Sequence, residues 1–182
     1  MKSQVTTKQG DSGNSRALDG KTYPKSHPIM DCVGNVDEAR NHVALIRLLI
    51  MLDKPAGHEQ LSETLLWVLN SFFAIGAACS DPENQHPEYH AKKITQEEIE
   101  RLEAEQHRLE IQTRLPHAFM VSAETPIAAE VDITCSVVRR LERSIVRLRD
   151  EIPAFDAATI LVFVNRLSDY LFMLARTLDR ES

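Results

Sequence analysis

Apolar residues recur every three or four positions along most of the chain after residue 35, which is the spacing of one buried helix face. Five segments have this pattern, and Gly, Pro or polar clusters separate them: 35–53, 60–80, 94–112, about 127–149 and 157–179. No segment alternates apolar and polar residues over the length of a strand, so no strand is predicted. The pattern therefore predicts an all-α fold, a bundle of about five helices.

The five segments differ in how much of their surface is apolar. Segments 60–80 and 157–179 are the most apolar, so we expect them to form the core of the bundle, with the charged segment 94–112 outside. The longest apolar run, 65–79, is interrupted by Asn70 and Ser71 and is shorter than the roughly 20 residues that span a bilayer. No membrane insertion is expected.

Capping signals suggest where the helices begin. Asn35 followed by Glu38 forms a weak capping box, which predicts that the first helix begins at Asn35, and Asp156 is expected to cap the last helix. Residues 1–29 are rich in Gly, Ser, Thr and Lys, a composition typical of a disordered tail. We divide the chain into this N-terminal segment, 1–29, and a helical bundle, 30–182, within one domain.

Composition excludes several classes of protein. A length of 182 residues suits one domain with a full core, and a net charge of −6 argues against binding to nucleic acid. The three cysteines are far apart, so neither disulfides nor a zinc site are indicated, and a reducing, cytoplasmic setting is expected. His86 and His90 flank Pro87 in a predicted loop, so they are not expected to form a helical metal pair.

The fourth segment carries an unusual number of arginines for an acidic protein. The stretch TCSVVRRLERSIVRLRD, which begins at Thr134, places Arg139, Arg143 and Arg147 on one helix face, with Arg140 beside them. Like charges at this spacing repel, so anionic partners are expected nearby. Those partners are either carboxylates of this chain or a bound triphosphate, whose oxygens match the guanidinium fork.

A second stretch, TTKQGDSGNSR, also suits a phosphate group. Gly10 and Gly13 let backbone N–H groups turn toward phosphate oxygens, and the hydroxyl side chains add further donors. The stretch lacks the GK[ST] ending of a P-loop, and a flexible tail has the same composition. Both interpretations remain open on these residues alone.

Six motifs resemble, in order, those of the PduO-type ATP:cob(I)alamin adenosyltransferases. They are TTKQGDSGNSRALDGKTYPKSHP, CVGNVDEARN, LNSFFAIGAA, LPHAFMVSAETPIAAEVD, the RRLER stretch and NRLSDYLFMLAR. The resemblance implies an up-and-down five-helix bundle that assembles as a homotrimer, with active sites between adjacent subunits. It also implies that cob(I)alamin attacks the 5′-carbon of ATP, which yields adenosylcobalamin and releases triphosphate.

The resemblance assigns roles to individual residues. ATP is expected to bind together with Mg²⁺, which is held mainly through phosphate oxygens rather than by protein ligands. The residues expected to bind ATP and its Mg²⁺ are Thr7, Lys8, Gly10, Asp11, Gly13, Lys25, Glu142, Arg143 and Asn165. Phe119 is expected to fill the lower axial side of the corrinoid, which makes cob(II)alamin easier to reduce. An ion pair between Asp37 and Arg139 is expected to position this region. Arg140, Arg147 and Arg149 receive no comparable role.

Some positions depart from the family pattern. Ser12 replaces the lysine of GDKG, SAET replaces PGGT and so introduces Ala123 and Glu124, and Asp132 replaces the histidine that follows the AAxL stretch. These departures leave open an alternative, a catalytically weakened paralogue that acts as a corrinoid or nucleotide carrier, sensor or assembly protein. For the enzyme, the resemblance implies a reductase as electron donor and an adenosylcobalamin-dependent enzyme as a possible recipient of the product.

Overall fold

The computed structural model describes residues 6, 8, 10–113, 115 and 123–180. Within these ranges it has five α-helices: α1 Pro28–Asp53, α2 His58–Ser80, α3 Gln96–Gln112, α4 Pro126–Glu151 and α5 Ala158–Arg180. A single 3-10 turn, Pro87–Tyr89, lies between α2 and α3. The all-α prediction of five helices is confirmed.

The N-terminal segment contains a small β-hairpin. β1 Asn14–Arg16 pairs antiparallel with β2 Thr22–Pro24. Strands of three residues are too short to produce the alternation that predicts a strand, which is why the pattern did not indicate them. The N–H group of Leu18 donates to the Ser80 hydroxyl at 2.9 Å, so the hairpin is attached to the end of α2. The interpretation of the N-terminal segment as a disordered tail is therefore wrong for residues 10–25.

The first helix begins earlier than its capping signal suggests. The N-cap is His27, whose ring Nδ1 accepts the N–H of Ile29 at 3.2 Å, and Pro28 follows as the first helical residue. Proline suits this position because its fixed φ is helical and no N–H is needed there. Asn35 is buried inside α1 and donates to the Asp31 carbonyl at 2.7 Å, so the prediction of Asn35 as N-cap is wrong. The Asp156 carboxylate accepts the N–H of Ala158 at 3.4 Å, but the N-cap position of α5 is held by Ala157, whose carbonyl accepts the N–H of Leu161.

The helices pack in the spatial order α2, α1, α4, α5 and α3. α5 lies between α4 and α3 and buries Phe163 and Tyr170 completely, as expected of a core helix. α2 lies at one side of the bundle and buries Phe72 in the core, as expected, while its other face exposes Leu66 and Phe73. Its apolar residues face both α1 and the outside. α3 packs on α5 through few buried residues and is an outer helix, as predicted.

Two of the helices, α2 and α5, are long and apolar enough to span a bilayer by length and composition alone. In the bundle, 50% of the most apolar window of α2 and 56% of that of α5 are buried against other residues. Core helices of helical bundles share these properties.

Candidate functional site

The arginines of α4 divide into two groups. Three of them pair with carboxylates of this chain: Arg147 with Asp31 at 2.8 Å, Arg149 with Asp150 at 2.9 Å, and Arg140 with Glu38. The Arg140 Nε also donates to the Asn35 side chain at 3.1 Å. For these three arginines the interpretation as intramolecular ion pairs is confirmed.

Arg139 and Arg143 behave differently. Both side chains are exposed, and neither makes an ion pair or hydrogen bond with any residue that the structure describes. An exposed guanidinium with all of its N–H donors free can bind a phosphate group through two parallel hydrogen bonds. These two arginines are the ones to which the resemblance assigned a role.

The polar groups beside Arg143 are held in place by α5. The Nδ2 of Asn165 donates to the Glu142 carboxylate at 3.1 Å, and the Asn165 Oδ1 accepts from Arg166 at 2.9 Å. Arg166 is in turn held by Glu103 of α3 at 2.8 Å. The structure therefore brings together Glu142 and Asn165, two residues predicted for the ATP site, and Arg143, a third, follows Glu142 on α4.

The predicted nucleotide loop folds around two close backbone turns. The N–H of Gly13 donates to the Gly10 carbonyl at 3.2 Å, and the N–H of Lys25 donates to the Gly13 carbonyl at 2.9 Å. Gly13 has a φ of +82°, which a glycine adopts without strain. A Cβ added at Gly10 would lie 3.3 Å from the Lys25 ammonium, so this ammonium lies directly against the turn.

The remaining residues of the predicted loop are only partly described. Lys8 and Asp11 are exposed, and the N–H of Asp11 donates to the Lys8 carbonyl at 3.4 Å. Thr7 lies outside the described residues. The described part of the loop thus places the Lys25 side chain against Gly10 and its backbone N–H against the Gly13 carbonyl.

The loop and the Arg143 group lie at the same end of the bundle. The ion pair between Arg147 and Asp31 ties the end of α4 to the start of α1, only a few residues after the hairpin. Arg143 lies one turn before Arg147 on the same helix. No hydrogen bond or ion pair joins the loop to Glu142, Arg143 or Asn165 in the described part of the chain.

The expected ion pair between Asp37 and Arg139 does not form within one chain. Asp37 instead pairs with Arg40, one turn further along α1, at 2.9 Å. The reason is helical geometry: Arg140, and not Arg139, projects from α4 toward α1. Adjacent helical residues point about 100° apart, so both cannot face the same neighbour. Asp37 and Arg139 are both exposed.

The corrinoid side can be described only where it joins α4. Phe119 lies outside the described residues. The described chain resumes at Ala123, where the N–H groups of Ala123 and Thr125 donate to Asp132 and Asp179. Asp132, noted in the sequence as a departure, forms an ion pair with Arg176 at 2.5 Å. The pairing of Asp132 with Arg176 had no sequence signal, because the two residues are 44 positions apart in the chain.

His86 and His90 do not form a metal site in the structure. They flank the 3-10 turn, and the His90 ring contacts the buried Asp81 at 3.0 Å, while the His86 ring contacts Glu88 at 3.1 Å. Among the described residues no group of three or more His, Cys, Asp or Glu side chains is arranged to hold a metal ion. The three cysteines are buried and free, as expected for packing residues.

Comparisons with known proteins agree with these observations. The family model for cobalamin adenosyltransferase matches residues 5–178. The corrinoid adenosyltransferase MMAB of Homo sapiens is 32% identical over 175 residues, which cover 95% of this chain and 68% of that protein. The corrinoid adenosyltransferase PduO of Salmonella typhimurium is 28% identical over 178 residues, 98% of this chain. The chain spans about half of that relative, 50% of its length.

A solved structure has the same fold. It is a variant of the PduO-type ATP:corrinoid adenosyltransferase from Lactobacillus reuteri, complexed with cobalamin and ATP. The TM-score is 0.85 at 26% sequence identity, and the match covers 97% of this chain and 91% of the other.

Proposed function

Because the chain belongs to the cobalamin adenosyltransferase family, we propose that it transfers the 5′-deoxyadenosyl group of ATP to cob(I)alamin. The products are adenosylcobalamin and triphosphate. In this reaction the Co(I) electron pair forms the cobalt–carbon bond, and the C5′–O bond breaks as triphosphate leaves with its electrons. The observation that carries the proposal is the free guanidinium of Arg143 beside the Glu142–Asn165 hydrogen bond, within a chain that the family model matches almost throughout.

Arg143 is proposed to bind the triphosphate. Triphosphate is a highly charged leaving group, so a fixed cation that contacts it lowers the barrier and keeps the 5′-carbon in line with the nucleophile. The hydrogen bond from Asn165 holds the Glu142 carboxylate, and the exposed Arg143 side chain has no acidic partner among the described residues. The loop residues proposed to share this task are Thr7, Lys8, Gly10, Asp11, Gly13 and Lys25.

A magnesium ion is proposed to bind with ATP. Mg²⁺ commonly keeps several water ligands and binds through phosphate oxygens plus one or two carboxylates. The described residues fit this mode, because they offer the Glu142 carboxylate near Arg143 but no cluster of three or more ligands. When bound, the ion neutralises part of the charge on the triphosphate.

On the corrinoid side, Phe119 is proposed to cover the lower axial face of cobalt. An aromatic ring there offers no donor to the metal, and the loss of the lower ligand favours reduction of Co(II) to Co(I). Asp37 and Arg139 remain proposed positioning residues. Because both are exposed and do not pair within one chain, we assign their ion pair to the contact between two subunits.

The proposed assembly is a homotrimer with the site between subunits. Two observations support it. α1 has an exposed stripe at helical spacing that continues from Asp37 through three leucines, Leu45, Leu48 and Leu52. Arg143 also lies about 26 Å along α4 from its first residue, Pro126, which follows the corrinoid-side segment. Residues so far apart in one chain can act on the same ATP and corrinoid when one subunit supplies the residues at one end of α4 and its neighbour supplies those at the other end.

We place the protein in the cytoplasm as a soluble enzyme. The reaction requires a reductase that supplies electrons to cob(II)alamin, and the product can serve an adenosylcobalamin-dependent enzyme. Neither partner leaves a recognisable contact surface on the described residues.

The proposal is tested by mixing the protein with ATP, Mg²⁺ and chemically reduced cobalamin under anaerobic conditions. We expect the absorbance spectrum of adenosylcobalamin to appear and triphosphate to accumulate in equal amount, with neither product when ATP is omitted. Absence of both products at stoichiometric protein concentration would overturn the enzyme assignment.

The second candidate function is a binding protein without turnover. Ser12 favours it, because this hydroxyl, which accepts from Asn14 at 3.4 Å, stands where the family pattern has a phosphate-binding lysine. Calorimetric titrations with ATP and with cob(II)alamin separate the two functions. Corrinoid binding without ATP binding supports the carrier, whereas binding of both with turnover excludes it.

A further inference from the structure

The β-hairpin that follows the predicted nucleotide loop is attached to the last residue of α2. The N–H of Leu18 donates to the Ser80 hydroxyl at 2.9 Å, and the N–H of Asp19 donates to the Ser80 carbonyl at 3.3 Å. The last carbonyl groups of a helix have no partner within the helix, so a neighbouring segment has to supply one. Here the turn of the hairpin supplies it, and Ser80 is buried beneath that turn.

Asp19 holds the hairpin together from the inside. Its carboxylate accepts the N–H of Lys21 at 2.9 Å and the hydroxyl of Tyr23 at 2.6 Å. Hydrogen bonds to a charged acceptor are strong, and more so when they are shielded from water. The Asp19 side chain is only 3% exposed, so it stabilises the hairpin and is not open to a ligand.

Tyr23 connects the hairpin to α1. The centre of its ring lies 4.4 Å from the centre of the His27 ring, and His27 is the N-cap of α1. Burial and the hydrogen bond to the Asp19 carboxylate raise the pKa of Tyr23 to about 12, so its hydroxyl remains a donor at neutral pH. We call Asp19, Tyr23 and Ser80 the hairpin anchor.

Further contacts connect the hairpin anchor to the predicted nucleotide loop. The two strands of the hairpin pair so that Asn14 lies opposite Pro24. The next residue, Lys25, donates its N–H to the Gly13 carbonyl at 2.9 Å, and its ammonium lies against Gly10. The contacts therefore continue without a break from the end of α2 to loop residues that are proposed to bind ATP.

The hairpin is also fixed relative to the helix that carries Arg143. His27 begins α1, and Asp31, one turn into this helix, pairs with Arg147 of α4 at 2.8 Å. Arg143 lies one turn before Arg147 on α4. The contact between Tyr23 and His27 thus joins the hairpin to the part of α1 that holds the Arg143 end of α4.

We propose that Asp19, Tyr23 and Ser80 act together as positioning residues for ATP, which hold the nucleotide loop in its binding arrangement. The inference rests on the proposed function, which assigns the loop to ATP. A loop that is held in one arrangement binds its ligand without the cost of ordering the chain. An anchor that only stabilised the fold would lower the melting temperature without a selective effect on ATP affinity.

The test uses two variants of the anchor. Tyr23→Phe removes only the hydroxyl that donates to Asp19, and its matched control is Tyr89→Phe, at a tyrosine that is 52% exposed. Asp19→Ala removes both hydrogen bonds of the carboxylate. Asp19→Asn is the conservative variant, because its amide can accept the N–H of Lys21 and donate to the Tyr23 oxygen.

Four quantities are measured on the full chain. Calorimetry gives the dissociation constant of ATP, and absorbance titration of the ATP-saturated protein gives that of cob(II)alamin. Steady-state kinetics separates KM for ATP from kcat. Hydrogen exchange followed by mass spectrometry reports how firmly the backbone of residues 10–25 is held.

For Asp19→Ala we expect the dissociation constant and KM of ATP to rise about tenfold, the effect of lost hydrogen bonds to a charged group, and for Tyr23→Phe several-fold. The value of kcat at saturating ATP and the affinity for cob(II)alamin should stay within about twofold of wild type, as all values should for Tyr89→Phe. Amide exchange should become faster in residues 10–25. Asp19→Asn should bind ATP more tightly than Asp19→Ala.

Unchanged ATP affinity in both anchor variants would overturn the inference, and so would equal losses of affinity for ATP and the corrinoid. If Asp19→Ala does not fold, Tyr23→Phe decides by the same criteria. Wild-type protein that binds no ATP would overturn the proposed function together with the inference. Wild-type protein that binds ATP but forms no product would overturn the proposed function alone, because the ATP affinities of the variants still test the anchor.

Discussion

The side-chain amide of Asn165 on α5 donates to the Glu142 carboxylate on α4 at 3.1 Å, and the next residue on α4 is Arg143, whose guanidinium has no partner among the described residues. Adjacent helical residues point about 100° apart, so the two side chains leave α4 in different directions. The carboxylate is engaged by α5, and the guanidinium stays available for an anionic ligand.

Arg143→Ala is expected to lower kcat/KM for ATP by about 100-fold or more, since it removes the charge that contacts the leaving group. The melting temperature should change by less than about 2 °C because the side chain is exposed. Steady-state kinetics and thermal denaturation measure the two effects. Arg149→Ala, which removes an exposed arginine paired with its neighbour Asp150, is the control and should keep its activity. Equal activity losses in the two variants would contradict the role of Arg143.

Two substitutions of Asn165 should weaken ATP binding to different degrees. Asn165→Ala removes the donor to Glu142 and is expected to raise the dissociation constant of ATP several-fold, by about the strength of one hydrogen bond. Asn165→Asp places a second carboxylate against Glu142, and the added negative charge should weaken binding further. Calorimetric titration with Mg·ATP gives both values. An Asp variant that binds ATP more tightly than the Ala variant would contradict this account.

Leu48→Glu is expected to dissociate the proposed trimer. Leu48 is 55% exposed in the middle of the apolar stripe of α1, where a buried charge would be costly in an interface. Size-exclusion chromatography with light scattering should give a trimer for wild type and smaller species for the variant, together with loss of activity. The control is Ile111→Glu on the outer helix α3, at a residue that is 71% exposed. A trimeric Leu48→Glu protein would exclude this stripe as the contact.

Asp81 is expected to stabilise the fold in a pH-dependent way. Burial tends to raise the pKa of Asp81, but hydrogen bonds from the N–H groups of His86 and Gln85 and contact with the His90 ring lower it below its ordinary value of 3.8. A carboxylate with a lowered pKa stabilises the folded state above its unfolded pKa, and this contribution is lost as the pH falls through the folded value.

The measurement compares wild type with Asp81→Asn by urea unfolding. At pH 7 the variant should lose about 1–3 kcal/mol in free energy of unfolding, because two backbone N–H groups lose the charged acceptor supplied by the buried Asp81. The difference should shrink as the pH falls below 3.8, the ordinary pKa of Asp81, because the unfolded wild-type chain then takes up a proton more readily than the folded carboxylate does. Asp150→Asn, at an exposed carboxylate, should show no comparable difference at either pH. A difference for Asp81→Asn that is constant from pH 7 to pH 3 would contradict this prediction.

The sequence predicted most of the helical fold because helix periodicity is a local property. Asn35 shows the limit of local signals: it resembles an N-cap, yet the helix begins seven residues earlier because Pro28 and His27 form a better start. Which side chains pair with each other depends on three-dimensional geometry. The helical spacing of the sequence placed Arg140 beside Arg139, but only the folded bundle shows that Arg140 faces α1. The pairing of Asp132 with Arg176, 44 residues later, has no local signature either.

The distance of about 26 Å along α4 between its first residue and Arg143 has a genetic consequence. If neighbouring subunits supply opposite ends of α4 to each site, one chain damaged at Arg143 and another damaged at the start of α4 can form mixed assemblies. Some active sites in these assemblies would then combine the undamaged start of α4 from one chain with the undamaged Arg143 from another. Co-expression of two inactive alleles would thereby restore part of the activity, whereas two alleles damaged at the same end would not complement each other.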